Sequence, residues 1–380
     1  MYIKSLIYED QSTGWKLEKI EFKPLTLLVG ISGVGKTQIL KALLNLKEIS
    51  HGKSLNGLKW EIEFKTSKGH DCKWCGAFEN KGFISELITA FVKDEYGKDK
   101  PYINNEQLFI DGKQIIDRNS TGITFNDKKT VKLSQQESVI SLLKEEDVIK
   151  EIHEDFEEIL FEDNTMTING FQINDEITLK LKKYKNLKDI RNSNENIKTK
   201  LCLLYKNQKK LFEEIENAFI DIFPYIENIK IEPIGDCYKQ LPFFQESPLI
   251  QIKEKNVSHW IDEFIISSGM LRTLIHIAEL YLCADNTVIL IDEFENSLGI
   301  NCINDLTSSL VSSERNLQFI ITSHHPYIIN NIGISHWKLV TRKGGVVTAI
   351  DAEKFGIGKS KHQAFTQLLN LDAYKDGVIS

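Results

Sequence analysis

The chain has 380 residues, 41% of them hydrophobic and 27% charged, with a formal net charge of −7. That balance is ordinary for a globular protein and argues against a globally basic nucleic-acid binder. No apolar run reaches the roughly 20 residues a spanning helix needs, and the first residues (MYIKSLIYED) lack a basic-then-apolar signal pattern, so no membrane association and a cytoplasmic location are expected.

Residues 1–8 and 15–22 alternate apolar and polar positions and predict an antiparallel strand pair. Leu25–Val29 (LTLLV) then reads as a buried strand. It runs into Gly30-Ile31-Ser32-Gly33-Val34-Gly35-Lys36-Thr37, a G-x-x-x-x-G-K-T loop, followed by residues 37–46 with apolar positions at helical spacing. A strand, glycine-rich loop and helix in this order aim a row of backbone N–H groups at one spot. The helix dipole adds partial positive charge there, which suits a polyphosphate. The expectation is a nucleoside-triphosphate site. Gly30, Ser32, Gly33, Val34 and Gly35 form the cradle, Lys36 reaches the β/γ-phosphates, Thr37 holds Mg²⁺, and Gln38 follows in the first turn.

Residues 58–80 read as further strands and contain Cys72-Lys73-Trp74-Cys75. A zinc site wants a second cysteine pair, and none follows at suitable spacing; His70 offers at most a third ligand. The alternation in this segment favours structural cysteines over a metal or redox role. Cys202, Cys237, Cys283 and Cys302 stand singly, as reduced thiols do.

The modest net charge conceals a polarity. From residue 144 to 163 there are ten acids against two lysines, a balance of −8; between Lys180 and Lys210 there are eleven bases against two acids, a balance of +9. Solvated helix faces that pair with each other are one reading. A basic arm for nucleic acid or an acidic partner is the other. From about residue 140 to 220 the pattern is helical, and 201–223 reads as one amphipathic helix ended by Pro224. Residues 226–234 read as a strand returning to the body of the protein.

Ser267-Ser268-Gly269-Met270-Leu271-Arg272 opens a strongly apolar helix, where serine by itself reads as an N-cap. Residues 287–291 form an apolar strand ending in Asp292-Glu293, a carboxylate pair costly to bury without a cation. In phosphate-loop enzymes the first acid supports Mg²⁺ and the second orients water as general base. Residues 317–322 form another buried strand, ending in Ser323-His324-His325. Residues 337–341 and 346–350 flank a Gly344-Gly345 hairpin. Helices alternating with buried strands predict a parallel or mixed sheet with flanking helices.

With these motifs in order, the chain resembles the ABC-type ATPases of the cytosolic branch that includes structural-maintenance (SMC), RecF-like and OLD-like proteins. Ser268, Gly269 and Arg272 match the S-S-G-x-x-R form of the signature, with Met270 where many relatives have Gly. The resemblance implies an α/β fold: a P-loop ABC-type ATPase head with an N-terminal β-subdomain and an inserted helical lobe. The implied boundaries are 1–140 for the first part of the core, 141–235 for the lobe and 236–380 for the rest. It implies ATP and Mg²⁺ as ligands, with Ser268 and Gly269 presented to the triphosphate of a second copy in a homodimer or higher oligomer. His324, or failing that His325, takes the place of the switch histidine. Gln136, or its neighbour Gln135, takes the place of the Mg²⁺-contacting glutamine. Phe294–Leu298 take that of the loop crossing the dimer interface. Arg272 either stabilises phosphate charge or holds the signature helix. Trp15 fits a strand core better than an adenine platform.

The chain also resembles stand-alone ATPases of bacterial anti-phage defence systems (Septu, retron-associated and PARIS types). That implies a sensor or scaffold controlling a separate effector, commonly a nuclease, since the C-terminal stretch shows no nuclease metal cluster. A DNA-repair or chromosome-maintenance ATPase acting directly on DNA is the alternative.

Overall fold

A computed structural model describes residues 1–82, 100–162, 177–193, 195–237, 246–297, 315–358 and 361–378. Two compact units divide the chain. The first comprises Met1–Glu162, Asn286–Glu293 and Ser313–Ser380; the second comprises Asp163–Asp285 and Phe294–Ser312. Residues 141–162, expected from sequence to belong to the lobe, therefore fall in the first unit, and the second continues past 235 to Asp285. Leu298 and Cys302 lie outside the described residues.

Among the described residues the first unit is built on one 14-stranded mixed sheet. Its parallel half runs, in spatial order, β10 (Ile159–Glu162), β14 (Val288–Ile291), β15 (Gln318–Thr322), β3 (Leu25–Val29) and β16 (Trp337–Lys343). The antiparallel hairpin partner of β16, β17 (Val346–Asp351), then leads through β2 (Trp15–Glu21) and β1 (Tyr2–Asp10) to a meander. That meander is β4 (Leu58–Lys65), β5 (Asp71–Phe78), β6 (Ile103–Ile110), β7 (Lys113–Asn119), β8 (Gly122–Phe125) and β9 (Lys128–Lys129). The fold is a mixed α/β architecture with one large sheet. β3 and β14 are buried at every position because parallel strands have both faces covered, hence their unbroken apolar runs. β4 alternates buried and less buried positions, as a one-faced antiparallel strand should.

The helix Lys36–Ser50 buries Ile39, Leu40, Leu43, Leu46 and Ile49, one face at helical spacing. The helix Asp147–Glu157 presents Ile149, Ile152 and Phe156 in the same way. Phe156 meets Phe64 and Trp74 edge-on, with centroids 5.4 and 5.3 Å apart, and Trp74 in turn meets Trp60 at 5.2 Å. Such edge-to-face pairs add about 0.5–1.5 kcal/mol beyond their buried area.

One buried charge pair pins the meander to the chain that follows it. Glu106 is fully buried and accepts from Trp74 Nε1, Ser138 Oγ and the Val139 N–H at 3.0, 2.5 and 3.0 Å. Arg118 lies 3.5 Å from it and donates to the Glu137 and Ser134 carbonyls at 2.8 and 3.1 Å. Removing one partner strands the other charge in the interior. Arg118→Ala is therefore expected to cost about 3–5 kcal/mol, measured as a lowered urea midpoint at unchanged slope; a midpoint like the parent's would count against this account.

The second unit differs from the sequence expectation in two ways. The 201–223 stretch is two helices, Ile197–Asn207 and Lys209–Ile222, separated at Gln208. The break has a side-chain cause: Asn207 Nδ2 donates to the Leu181 and Tyr184 carbonyls and Gln208 Nε2 to that of Lys185, capturing the end of the helix Ile177–Lys183. Residues 226–234 do not rejoin the large sheet. They form β11 (Ile226–Pro233), which pairs antiparallel with β12 (Pro248–Glu254), itself paired with β13 (Ile261–Asp262). The unit is thus helical with a small sheet of its own. The helix Ser268–Leu282 packs against those two helices, which in turn pack against β11, the first of them against β12 as well.

Candidate functional site

Parallel pairing sets the site. Leu28 is opposite Thr322 and Ile321 opposite Ile291, so β3, β15 and β14 end along one edge of the sheet. Gly30, Ser323 and Asp292 emerge there together, at the carboxyl ends where α/β sheets bind ligands. The glycine loop bridges β3 to the helix Lys36–Ser50. A side chain on Gly30 would meet the Val340 carbonyl at 2.6 Å, and Gly35 at φ 106° holds a conformation L-residues avoid. Gly35 is also the N-cap, with no side-chain hydrogen bond and no acid in the first turn, so no side chain competes for that helix start. The site therefore offers amides and partial positive charge to an anion.

Lys36 is buried, its Nζ donating to the Gly30 and Ile31 carbonyls at 2.8 and 3.0 Å, so the cation spans its own loop. Thr37 Oγ1 donates to Asp292 Oδ1 at 3.1 Å. Thr322 Oγ1 donates to the same oxygen at 2.6 Å and accepts the Glu293 N–H at 2.8 Å. Thr322 is a member of this hydrogen-bonded cluster that sequence reasoning does not single out; its signal is the polar end of an otherwise apolar strand, just before Ser323-His324. Glu293 sits at φ 47°, the left-handed region, which costs a non-glycine residue roughly 1–3 kcal/mol and clusters at functional sites. The hydroxyl of Thr37 and the carboxylate of Asp292 form the oxygen-only donor set a small hard cation prefers, so these residues fit Mg²⁺.

His325 acts structurally, because its Nδ1 accepts the Tyr327 N–H at 3.3 Å and caps the helix Pro326–Asn331. His324, half-buried, directly follows Ser323 at the end of β15. Trp15 is 5% exposed, packs edge-on against Tyr8 at 5.8 Å, and its Nε1 would lie 3.4 Å from a side chain on Gly35. It backs the loop from the core and does not form an open adenine platform. At the chain's other end Gly377 packs on Ile31 and Val34, and its carbonyl accepts from the Arg342 N–H, so the C-terminal segment braces the loop.

The structure does not bring Gln136 to this site. The Gln136 carbonyl accepts from Ser54 Oγ at 2.5 Å, and its amide nitrogen donates to the Lys100 carbonyl at 3.2 Å. Ser54 follows the carboxyl end of the helix whose start carries Thr37, and that helix spans 15 residues, about 22 Å at 1.5 Å per residue. Gln136 as an Mg²⁺ ligand is corrected on that ground. Exposed Gln135 adjoins it, its carbonyl accepting the Ile103 N–H.

Ser268 and Gly269 lie in the second unit, exposed in the first turn of the helix Ser268–Leu282. Ser267, not Ser268, supplies the cap, its Oγ accepting the Met270 N–H at 3.3 Å. A side chain at Gly269 would meet nothing within 4 Å. That helix start is open on its outer side.

Cys72 and Cys75 are three positions apart on β5, which puts their side chains on opposite faces of the sheet. Burial pushes the Cys72 thiol up to about 12 and raises that of Cys75 as well. They are structural thiols. Three lysines of the basic stretch pair within their own unit, Lys180 with Glu195 at 2.7 Å, Lys198 with Glu263 at 2.7 Å, and Lys206 with Glu232 at 3.4 Å, while Lys182, Lys183, Lys185 and Lys188 are exposed. In the acidic stretch, Asp155 and Glu151 accept the Ser67 and Lys68 N–H groups at 2.9 and 3.2 Å.

Among the described residues no helix is long and apolar enough to cross a membrane. No curated protein matches the chain. Similar solved structures include the SMC head domain from Thermotoga maritima, 13% identical, with a TM-score of 0.45 over 92% of this chain and 99% of that one. Another is the Smc head domain with an extended coiled coil, bound to the C-terminal domain of ScpA, derived from Pyrococcus furiosus. It is 12% identical, with a TM-score of 0.44 over 93% of this chain and 98% of that one. The recombination mediator protein RecF of the RecFOR pathway is 14% identical, with a TM-score of 0.37 over 92% and 98%. A family profile described as "AAA domain, putative AbiEii toxin, Type IV TA system" matches residues 25–330, from the start of β3 to just beyond His325. The chain belongs to that family and is an ATP-binding P-loop ATPase.

Proposed function

We propose that the chain hydrolyses ATP with Mg²⁺ at the edge formed by β3, β14 and β15, and that the bound triphosphate joins two copies of it. The observation that carries this reading is the run of hydrogen bonds from Thr37 through Asp292 and Thr322 to the Glu293 N–H, beside the uncapped start of the helix Lys36–Ser50. Gly30, Ser32, Gly33, Val34, Gly35, Thr37 and Gln38 cradle the phosphates, and Lys36 turns from its loop carbonyls to the β/γ-phosphate oxygens. Thr37 and Asp292 hold Mg²⁺, which neutralises phosphate charge. Glu293 orients the attacking water and takes its proton, and the bond from the γ-phosphorus to the ADP oxygen breaks in line. Thr322 fixes both acids, and His324 faces the γ-phosphate.

In this reading Ser268 and Gly269 of one copy close over the cradle of the other, which their exposure permits. Within a cell the ATPase serves as the cytoplasmic sensor or scaffold of a defence module and controls a separate effector of nuclease type. The family's description, which names a toxin and a toxin–antitoxin system, supports that setting.

The test is Ser268→Arg, a bulky charge on an exposed helix start. ATP affinity by calorimetry should stay within about threefold of the parent, while phosphate release and ATP-dependent dimer formation fall by at least about tenfold, a loss of roughly 1.4 kcal/mol in transition-state or dimer stabilisation. Undiminished hydrolysis would remove the two-copy site.

A further inference from the structure

His51, His153 and Glu157 each offer one ligand atom, and the three atoms lie within 4.8 Å of one another. His51 is the C-cap of the helix Lys36–Ser50, and His153 and Glu157 are four apart on one face of the helix Asp147–Glu157. The two imidazole centroids are 4.5 Å apart and tilted by 48°. We propose that this cluster is a binding site for a zinc-class divalent cation, separate from the nucleotide cradle and stapling these two helices together.

Donor chemistry supports the assignment. Two imidazoles and one carboxylate form a set that suits zinc, whereas magnesium prefers oxygens alone. A water would complete four-coordination.

The surroundings hold the ligands in place. His51 Nδ1 lies 2.7 Å from the Lys47 carbonyl and 3.1 Å from Ser50 Oγ. A carbonyl can only accept, so Nδ1 carries the proton and the lone pair of the neutral ring falls on Nε2. A backbone partner of this kind commonly orients a metal-binding histidine. From the same turn, Lys47 Nζ donates to the Glu157 and Ile159 carbonyls at 2.7 and 2.8 Å, pinning the end of the other helix beside it.

Bonds of about 2.1 Å place tetrahedral ligands roughly 3.4 Å apart. The ligand atoms must close from 4.8 Å, and His51 and Glu157 are exposed and His153 half-exposed, which leaves their side chains room to turn. The ligands come from segments roughly a hundred residues apart, so a bound ion would restrict the unfolded chain strongly.

The test uses the untagged full chain, stripped by a chelator and dialysed, titrated with Co²⁺ and then Zn²⁺ in the absence of nucleotide. One equivalent is expected, with visible cobalt bands and no sulfur-to-cobalt charge transfer, which excludes the cysteines. Zinc should raise Tm by at least about 2–4 °C at saturation. His51→Ala and His153→Ala should each weaken zinc binding at least about tenfold and abolish the Tm rise. Glu157→Gln provides the same readout with the least change in shape, should either histidine variant fold poorly. Absence of a saturable equivalent, or parental zinc affinity in these variants, overturns the site. Neither result bears on ATP binding, so this proposal and the nucleotide reading fail separately.

Discussion

Glu293→Gln is expected to reduce steady-state phosphate release by at least about 100-fold, the range a positioned general base contributes, while ATP affinity stays near the parent's. The substitution removes a proton acceptor and leaves the scaffold intact. The backbone N–H of residue 293 still donates to Thr322 Oγ1, and Asp292 keeps both hydroxyl donors at 3.1 and 2.6 Å. With binding preserved and turnover stopped, the ATP-joined form should accumulate. Size-exclusion chromatography with light scattering should show a dimer in ATP and a monomer without it. A variant that turns over at the parental rate would take Glu293 out of the mechanism.

Lys36→Ala should have the largest effect on binding, with ATP affinity by calorimetry falling at least about 100-fold. Charge-assisted hydrogen bonds are each worth roughly 1.5–3 kcal/mol, and each 1.4 kcal/mol is tenfold in affinity. Lys36 is 5% exposed and ties down the Gly30 and Ile31 carbonyls, so alanine also loosens the loop. Lys36→Met separates the two effects, since it keeps the aliphatic stem and removes only the charge. Both variants should lose ATP with circular dichroism unchanged, and parental affinity in Lys36→Met would overturn the assignment of this lysine to the phosphates.

Much of the first unit is legible in the sequence because its signals are local. The unbroken apolar runs of β3, β14 and β15, the glycine loop, and the Asp292-Glu293 and Ser323-His324 strand ends are each visible within a window of a few residues. Where the expectation fails, a long-range partner decides. The helix predicted over 201–223 breaks because Asn207 and Gln208 find carbonyls at Leu181, Tyr184 and Lys185, at and just past the end of a helix some twenty residues earlier. Residues 226–234 pair with β12, and no local pattern names a strand's partner. Gln136 stands between core and lobe in the sequence, whereas its bonds to Ser54 and Lys100 hold it near the far end of the helix that begins at the loop.

The amino-acid order determined the strands that open the chain and those that carry the site, where the phosphate loop begins, and which acids and histidines end the buried strands, because residue type and short-range period encode those properties directly; it did not show the strands at Ile103–Ile110, Lys113–Asn119, Ile159–Glu162 or Pro248–Glu254. Only the tertiary structure decided that Thr322 joins Asp292 to the Glu293 backbone, that Glu293 takes a left-handed backbone, and that His51 meets His153 and Glu157. Each of those depends on segments far apart in sequence being brought within a few ångströms by sheet register and helix packing, and that distance is set by the folded chain as a whole.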